Sequence, residues 1–253
     1  MYKSPALAGK ICLVTGASRG IGKAIAAAAA FQGAMVAINY CHSEQEAAIL
    51  ADSLQKQGLT AALFQADISS TEQVDQMFDE IEARWGKVNL LVNNAGISCK
   101  ALLTDTSEDD WYQVMDINLK GAYLCTKRAI PSMISARYGR IVNIASVWGI
   151  SGASCESIYA ASKGGLIAFT KSIAKEAGPS GVLVNAVAPG PVQTDMLNCE
   201  LDDQEIRDLS MQIPLGRLVT PEEIAEVCIF LLSAQADYIN GQVITVDGGF
   251  LQG

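Results

Sequence analysis

Histidine is nearly missing from this chain: among 253 residues only His42 is present. That scarcity disposes of one motif at once. Gly16-Ala17-Ser18-Arg19-Gly20 has the Gly-x-Ser-x-Gly pattern of a hydrolase nucleophile elbow, but such a serine needs a histidine base, with an acid between them in chain order. No Asp or Glu occurs between Arg19 and Cys41, so the hydrolase reading fails. Zinc chemistry fails with it, because no cluster of His and Cys has ligand spacing and no metal site is expected. The seven cysteines include no Cys-x-x-Cys pair. They read as reduced thiols of a cytoplasmic protein.

Positive charge is also short. Eighteen Lys+Arg against 27 Asp+Glu leave a formal net charge of −9. A nucleic-acid binder needs a basic surface to displace counterions, so no such partner is expected. Long apolar runs are absent: Ala24 to Phe31 is far too short to span a bilayer. Met1 to Lys10 lacks the charged-then-apolar layout of a signal peptide. No membrane partner is expected either.

What the chain does have is a hydrophobic half, enough for a substantial core, and a regular alternation of segments. Apolar strands are expected at Ile11 to Val14, Met35 to Tyr40, Ala61 to Ala66, Asn89 to Val92, Arg140 to Ala145, Val182 to Val187 and Gln242 to Val246. Helical patterns separate them. The Gly-rich turn runs on to about Gln32, and further helices cover Ser43 to Gln57, Thr71 to Trp85, Glu108 to Ala136, the segment around Tyr159, and Pro221 to Leu232. Strands divided by helices of this length predict an α/β fold, a Rossmann-like doubly wound parallel sheet of about seven strands with helices on both faces. No linker or repeat divides it, so residues 1–253 read as one dinucleotide-binding and catalytic domain.

Ligands of such sheets bind beyond the carboxyl ends of the strands. The Gly- and polar-rich segments fall there: Gly16 to Gly22, Asp67, Asn93-Asn94-Ala95-Gly96, Ser146 and Pro189-Gly190. Their convergence on one edge predicts a dinucleotide site. In the turn Gly16-x-x-x-Gly20-x-Gly22, glycines let the backbone approach a pyrophosphate at a helix N-terminus. An NAD site places an acid near the end of the second strand. Here that strand ends Ile38-Asn39-Tyr40-Cys41-His42, and the first acid is Glu44. Arg19 is placed to pair with a 2′-phosphate instead, so NADP(H) is the expected cofactor.

Tyr159 and Lys163 put a phenol and an ammonium one turn apart on a helix face. Moving a phenol from its usual ~10 to ~7 takes roughly 4 kcal/mol, which a nearby ammonium in a dry site can supply. Tyr123 and Lys127 repeat the spacing, so the pair alone does not locate the chemistry.

Thr15-Gly16-Ala17-Ser18-Arg19-Gly20-Ile21-Gly22, Asn93-Asn94-Ala95-Gly96, Asn118, Ser146, Tyr159-x-x-x-Lys163, Pro189-Gly190 and Val246-Asp247-Gly248-Gly249 together resemble the motif set of the short-chain dehydrogenases/reductases. The resemblance spans the chain, and it chooses between the pairs. A serine stands thirteen residues before Tyr159, whereas Asp110 has that offset from Tyr123. It implies that Tyr159 exchanges a proton with a substrate oxygen and that Lys163 supports it and binds the nicotinamide ribose. It further implies that Ser146 hydrogen-bonds that oxygen and that Asn118 holds a relay water. Ser18, Arg19 and Ile21 are then expected at phosphate and ribose, and Asp67 with Ile68 at adenine. Asn93, Asn94, Val192 and Thr194 are expected along the nicotinamide half.

Within the family the chain looks most like the 3-oxoacyl-[acyl-carrier-protein] reductases, which implies reduction of a 3-oxoacyl thioester and fatty-acid chemistry; the alternatives are a dehydrogenase or reductase of a free alcohol or ketone, such as a sugar, steroid or cyclic ketone, and a non-catalytic NADP(H)-binding regulator. Two departures count against a carrier protein as partner. Arg137 matches one docking arginine but Ser180 stands at the other, and Ala153 and Glu156 replace the usual Asn and Gln. Residues 191–220 read as a substrate lid with apolar Met196, Leu197, Leu201 and Leu209 among acids that would repel an acidic carrier. The helix of Tyr159, apolar nearly all round, predicts burial on a second side by another subunit; the family resemblance implies a homotetramer.

Overall fold

The computed structural model describes residues 5–194 and 203–252. Strand β1 (Ile11–Val14) is buried at all four positions. Side chains alternate across a strand, so Cys12 and Val14 enter one core cluster while Ile11 and Leu13 enter the other. A strand covered on both faces has no polar alternation, and this is why it reads as a plain apolar run.

The remaining strands are β2 (Met35–Tyr40), β3 (Ala61–Gln65), β4 (Leu90–Asn93), β5 (Gly139–Ile144), β6 (Val182–Pro189) and β7 (Val243–Val246). They form one seven-stranded sheet in the order β3-β2-β1-β4-β5-β6-β7. Every pairing is parallel. The chain therefore winds outward in one direction from β1 and in the other from β4, opening a crevice between them.

Helices α1 (Gly20–Phe31) and α2 (Glu44–Lys56) contribute to the first core cluster, with α9 (Pro221–Leu232). On the opposite face lie α3 (Thr71–Trp85), α5 (Gly121–Ser135) and the end of α7 (Ser157–Ala177). Helix α3 shows how local signals set such an element. Ser70 caps its start by accepting from the Gln73 amide, Gly86 ends it at φ 108°, and Val74, Met77, Phe78 and Ile81 form its buried stripe. Among the described residues the other α-helices are α4 (Glu108–Met115), the short α6 (Trp148–Ser151) and α8 (Asp203–Gln212).

Strands β3, β4, β5 and β7 shift by one residue from their expected bounds, and two elements differ more. The stretch Glu108 to Ala136 is not one uniform helix: a π-turn, Asp116–Lys120, separates α4 from α5. Strand β6 continues two residues past Val187 to Pro189. The register with β5 ends at Ile144↔Val187, so the missing N–H of Pro189 costs no ladder bond there.

Of the expected lid, Met196, Leu197 and Leu201 lie outside the described residues. Its two ends are tied together by a parallel bridge, Val192↔Val219. No helix among the described residues is long and apolar enough to cross a membrane.

Candidate active site

A cavity of about 640 Å³ opens along the carboxyl edge of the sheet. Gly16, Ser18, Arg19, Ile21 and Gly22 line it from the β1–α1 turn, and Asp67 and Ile68 from the end of β3. Asn94, Ala95 and Gly96 follow β4, Ser146 follows β5, and Pro189, Gly190, Val192 and Thr194 come from β6 and beyond. Tyr159 and Lys163 enter from α7. Of the residues expected at the site, only Asn93 and Asn118 are not in its wall.

The β1–α1 turn is held by neighbours on both sides. Gly16 has φ 60°, and a Cβ there would lie 2.8 Å from the Ala95 Cα; one on Gly22 would lie 2.4 Å from Asn94 Nδ2. Asn94 donates from Nδ2 to the carbonyls of Thr15 (2.9 Å) and Gly16 (3.0 Å). Thr15 Oγ1 accepts from the amides of Asn94 and Ala95 at 2.9 and 3.1 Å. From the other side, Asn39 Oδ1 accepts from the Gly16 amide at 3.1 Å.

This turn delivers the N-terminus of α1 to the cavity. Side chains cap α3, α4 and α9 through Ser70, Ser107 and Thr220, but none caps α1, and its first turn carries no acid. The first-turn amides of α1 are thus donors at the positive end of a helix dipole, beside Ser18 and Arg19. That donor set fits a diphosphate. At the end of β2, Tyr40, Cys41, His42 and Ser43 line the cavity, and none of these four is an acid; the carboxylate of this region is Asp67, at the end of β3. Asn39 is buried, and its amide is spent on the Phe64 and Ala66 carbonyls at 3.3 and 3.1 Å.

The second half of the site gathers around α7. Its buried stripe includes Ile158, Ser162, Lys163, Leu166 and Thr170, which fixes the helix against the sheet and carries Lys163 inward. Lys163 is 3 % exposed and donates to the Ile144 carbonyl at 2.8 Å. Its ammonium lies 5.7 Å from the Tyr159 ring centre. Burial holds its pKa down at about 8, against an ordinary 10.5. The Ser146 Oγ accepts from the Trp148 amide at 3.2 Å, which leaves its own proton to be donated elsewhere.

Asn118 sits in the π-turn, 1 % exposed. Its Oδ1 accepts from the Ile97 amide at 2.8 Å, and its Nδ2 donates to the Ile97 carbonyl and to Ser162 Oγ, both at 2.9 Å. The side chain thus ties the β4 loop to α7. A π-turn widens a helix locally and is a recurrent device at functional sites. Gly96 lies between the two polar groups: a Cβ there would come within 3.2 Å of both Asn118 Oδ1 and Lys163 Nζ.

Asn93, expected along the nicotinamide half, is placed elsewhere. As the last residue of β4 it faces the α5 side of the sheet, donating to Thr126 Oγ1 of α5 at 3.0 Å and to Asn143 Oδ1 of β5 at 2.7 Å. The second Tyr/Lys pair is likewise remote from the cavity. Tyr123 is 41 % exposed, packs edge-on against Phe169 at 6.4 Å, and has Lys127 over its ring. Sequence reasoning did not single out the Ile144 carbonyl, the Ile97 backbone or Ser162 as partners of Lys163 and Asn118. No local pattern marks them, because each contact bridges distant segments.

A doubly wound sheet whose strand-end cavity joins an uncapped helix N-terminus to Ser146, Tyr159 and Lys163 is the framework of a nicotinamide-dependent oxidoreductase. A family model described as enoyl-(acyl carrier protein) reductase matches residues 16–251. A 3-oxoacyl-[acyl-carrier-protein] reductase of Aquifex aeolicus is 44 % identical over 243 residues, covering 96 % of this chain and 98 % of the relative. The protein of that name from Thermotoga maritima is 41 % identical over 249 residues, 97 % of this chain and 99 % of the relative. Among solved structures, a putative gluconate dehydrogenase of Agrobacterium tumefaciens superposes with a TM-score of 0.95 at 33 % identity, covering 99 % of each chain. The chain belongs to the short-chain dehydrogenase/reductase family.

Proposed function

We propose that this protein is an NADPH-dependent reductase that converts the ketone of a 3-oxoacyl thioester into the 3-hydroxyacyl thioester. The observation that carries the reading is the buried Lys163 ammonium beside the Tyr159 ring, on the same cavity wall system as a Ser146 hydroxyl turned into a donor by the Trp148 amide. The chemistry that a bound reduced nicotinamide supplies is a hydride equivalent for the carbonyl carbon. Ser146 donates a hydrogen bond to the carbonyl oxygen and stabilises the charge that gathers there. Tyr159 delivers its phenolic proton to the same oxygen, and in reverse removes it. Lys163 favours the tyrosinate left behind and reaches the nicotinamide ribose. Asn118 holds the Gly96–Ile97 backbone in register with Lys163.

The preference for the 2′-phosphorylated cofactor rests on Arg19 and on the absence of a carboxylate among Tyr40 to Ser43 in the cavity wall. A ribose-binding acid at that place would repel a 2′-phosphate; an arginine pairs with it. Ser18 and Ile21 sit at phosphate and ribose, and Asp67 and Ile68 close the adenine end.

The thioester rests on relatives named 3-oxoacyl-[acyl-carrier-protein] reductases at 41 to 44 % identity. Arg137 is exposed, held at φ 50° with its carbonyl against Gly181, the residue that follows Ser180 in the chain. That leaves half of a paired-arginine dock, and a coenzyme A thioester is the first substrate form to test. A second reading, a polar free keto or hydroxy compound, is favoured by the Glu156 side chain in the cavity wall. The chain acts as one unit in the cytoplasm, with residues 191–220 as the lid. A homotetramer would cover the side of α7 on which Ala161 and Ala168 are exposed.

The test is cofactor consumption with acetoacetyl-CoA, its carrier-bound counterpart, and free ketones and polyols, each with NADPH and with NADH. The reading expects NADPH-selective turnover of a thioester. Turnover confined to free compounds transfers the assignment to the second reading.

A further inference from the structure

The cavity wall beside Ser146 contains an aromatic pair that the proton chemistry does not require. Trp148 lines the cavity two residues after Ser146, and its ring meets Phe250 edge-on, with centres 5.4 Å apart and planes at 66°. We propose that Trp148, braced from behind by Phe250, is the end wall of the substrate pocket and restricts the acyl part to short chains. The proposal rests on the 3-oxoacyl reading and deepens it by naming the substrate size.

Neither ring is free to swing on its backbone. The Trp148 amide is bonded to Ser146 Oγ, so displacing Trp148 would also disturb the catalytic hydroxyl. The next residue, Gly149, is packed so closely on α7 that a Cβ would lie 2.7 Å from the Lys163 carbonyl carbon. Helix α6 is therefore pinned to the helix that carries Tyr159 and Lys163. Phe250 is fixed from the other side. Asp247 accepts from the Gly249 and Leu251 amides, each at 3.0 Å, and its carbonyl accepts from the Phe250 amide at 3.1 Å. Asp247 itself abuts Gly190 of the cavity wall, where a Cβ would lie 2.9 Å from the Asp247 Cα.

An indole held at both its backbone and its ring is a rigid obstacle. A long acyl chain passing Ser146 would have to displace the pair, breaking an edge-to-face contact and the packing behind it. A short 3-oxoacyl group needs no such displacement. Leu209 of α8 also lines this cavity, so the acyl part would be bounded by that helix as well as by Trp148.

The experiment compares kcat/KM for acetoacetyl-CoA and 3-oxododecanoyl-CoA, and for ethyl acetoacetate and ethyl 3-oxododecanoate, in the parent, Trp148→Val, Phe250→Ala and doubly substituted proteins. The expected result is a long-to-short ratio raised at least about tenfold in Trp148→Val, through a lower KM for the long substrate. Phe250→Ala should raise the ratio less, and the double variant no more than Trp148→Val alone. An unchanged ratio in both variants, or a parallel loss with both chain lengths, overturns the proposal. If Trp148→Val does not fold, the ratio in Phe250→Ala decides it. Should the parent reduce only the free esters, the thioester reading fails while the ester ratio still tests the wall. A parent inactive on all four substrates overturns both.

Discussion

Lys163 Nζ lies 5.7 Å from the centre of the Tyr159 ring while donating to the Ile144 carbonyl at 2.8 Å. The lysine thus reaches past the tyrosine to the end of β5, and it does so 97 % removed from solvent. A buried ammonium is held against its own preference, and burial brings its pKa down to about 8. The same displacement has consequences for both stability and activity.

In the unfolded chain Lys163 titrates at its ordinary 10.5, so between about 8 and 10.5 the unfolded state carries more of its proton. Stability therefore rises with pH across that window, and below it the fold bears the whole cost of charging, roughly 3 kcal/mol. Lys163→Met should melt at a higher temperature than the parent below pH 8, with the difference closing toward pH 10.5. The variant should also lose at least about a hundredfold in kcat, since the charge supporting Tyr159 is gone. Parallel melting curves and rates across pH check both.

Ser146→Ala removes the hydroxyl whose oxygen accepts from the Trp148 amide and whose proton the proposed mechanism directs to the substrate oxygen. The expected loss is about 10²–10³ in kcat with little change in KM, because the bond strengthens as charge gathers on the oxygen. Steady-state kinetics separates the two constants.

Asn118→Ala should cost about 1–3 kcal/mol of stability, since it strips partners from the Ile97 amide and carbonyl. Gly96→Ala probes the same junction from within. Its methyl would press on both Asn118 Oδ1 and Lys163 Nζ, and a displacement of a few tenths of an ångström is expected to lower kcat by about tenfold or more. Denaturant melts read the first effect and turnover reads the second.

Much of this junction was legible in the sequence, and the parts that were not share a cause. Strands β1 and β2 and helices α3 and α9 have the boundaries their patterns predict, because apolar runs, caps and a terminal proline are local signals. The π-turn at Asp116–Lys120 was invisible because one wider turn barely changes the apolar spacing of a long helix. Asn93 and Asn94 look alike in sequence, yet Asn93 ends β4 and Asn94, just past it, faces the other way. Asn94 therefore binds the Gly-rich turn while Asn93 finds Thr126 and Asn143, partners 33 and 50 residues away. Only the tertiary packing supplies that information.

Arg19→Ala tests the cofactor. Loss of a charge-assisted contact to a 2′-phosphate should lower kcat/KM for NADPH by about 10- to 100-fold and leave that for NADH within about twofold. An equal fall with both cofactors would mean that Arg19 serves the diphosphate common to them.

The central claim, that Tyr159 is the proton donor of an NADPH-dependent ketone reduction, is tested most directly by Tyr159→Phe. NADPH oxidation with acetoacetyl-CoA would be followed in parent and variant, with NADPH binding measured by its fluorescence. The account predicts unchanged binding and a fall in kcat of about 10²–10⁴, the range for loss of a positioned general acid. A variant that binds NADPH and reduces the thioester at the parent rate would contradict it.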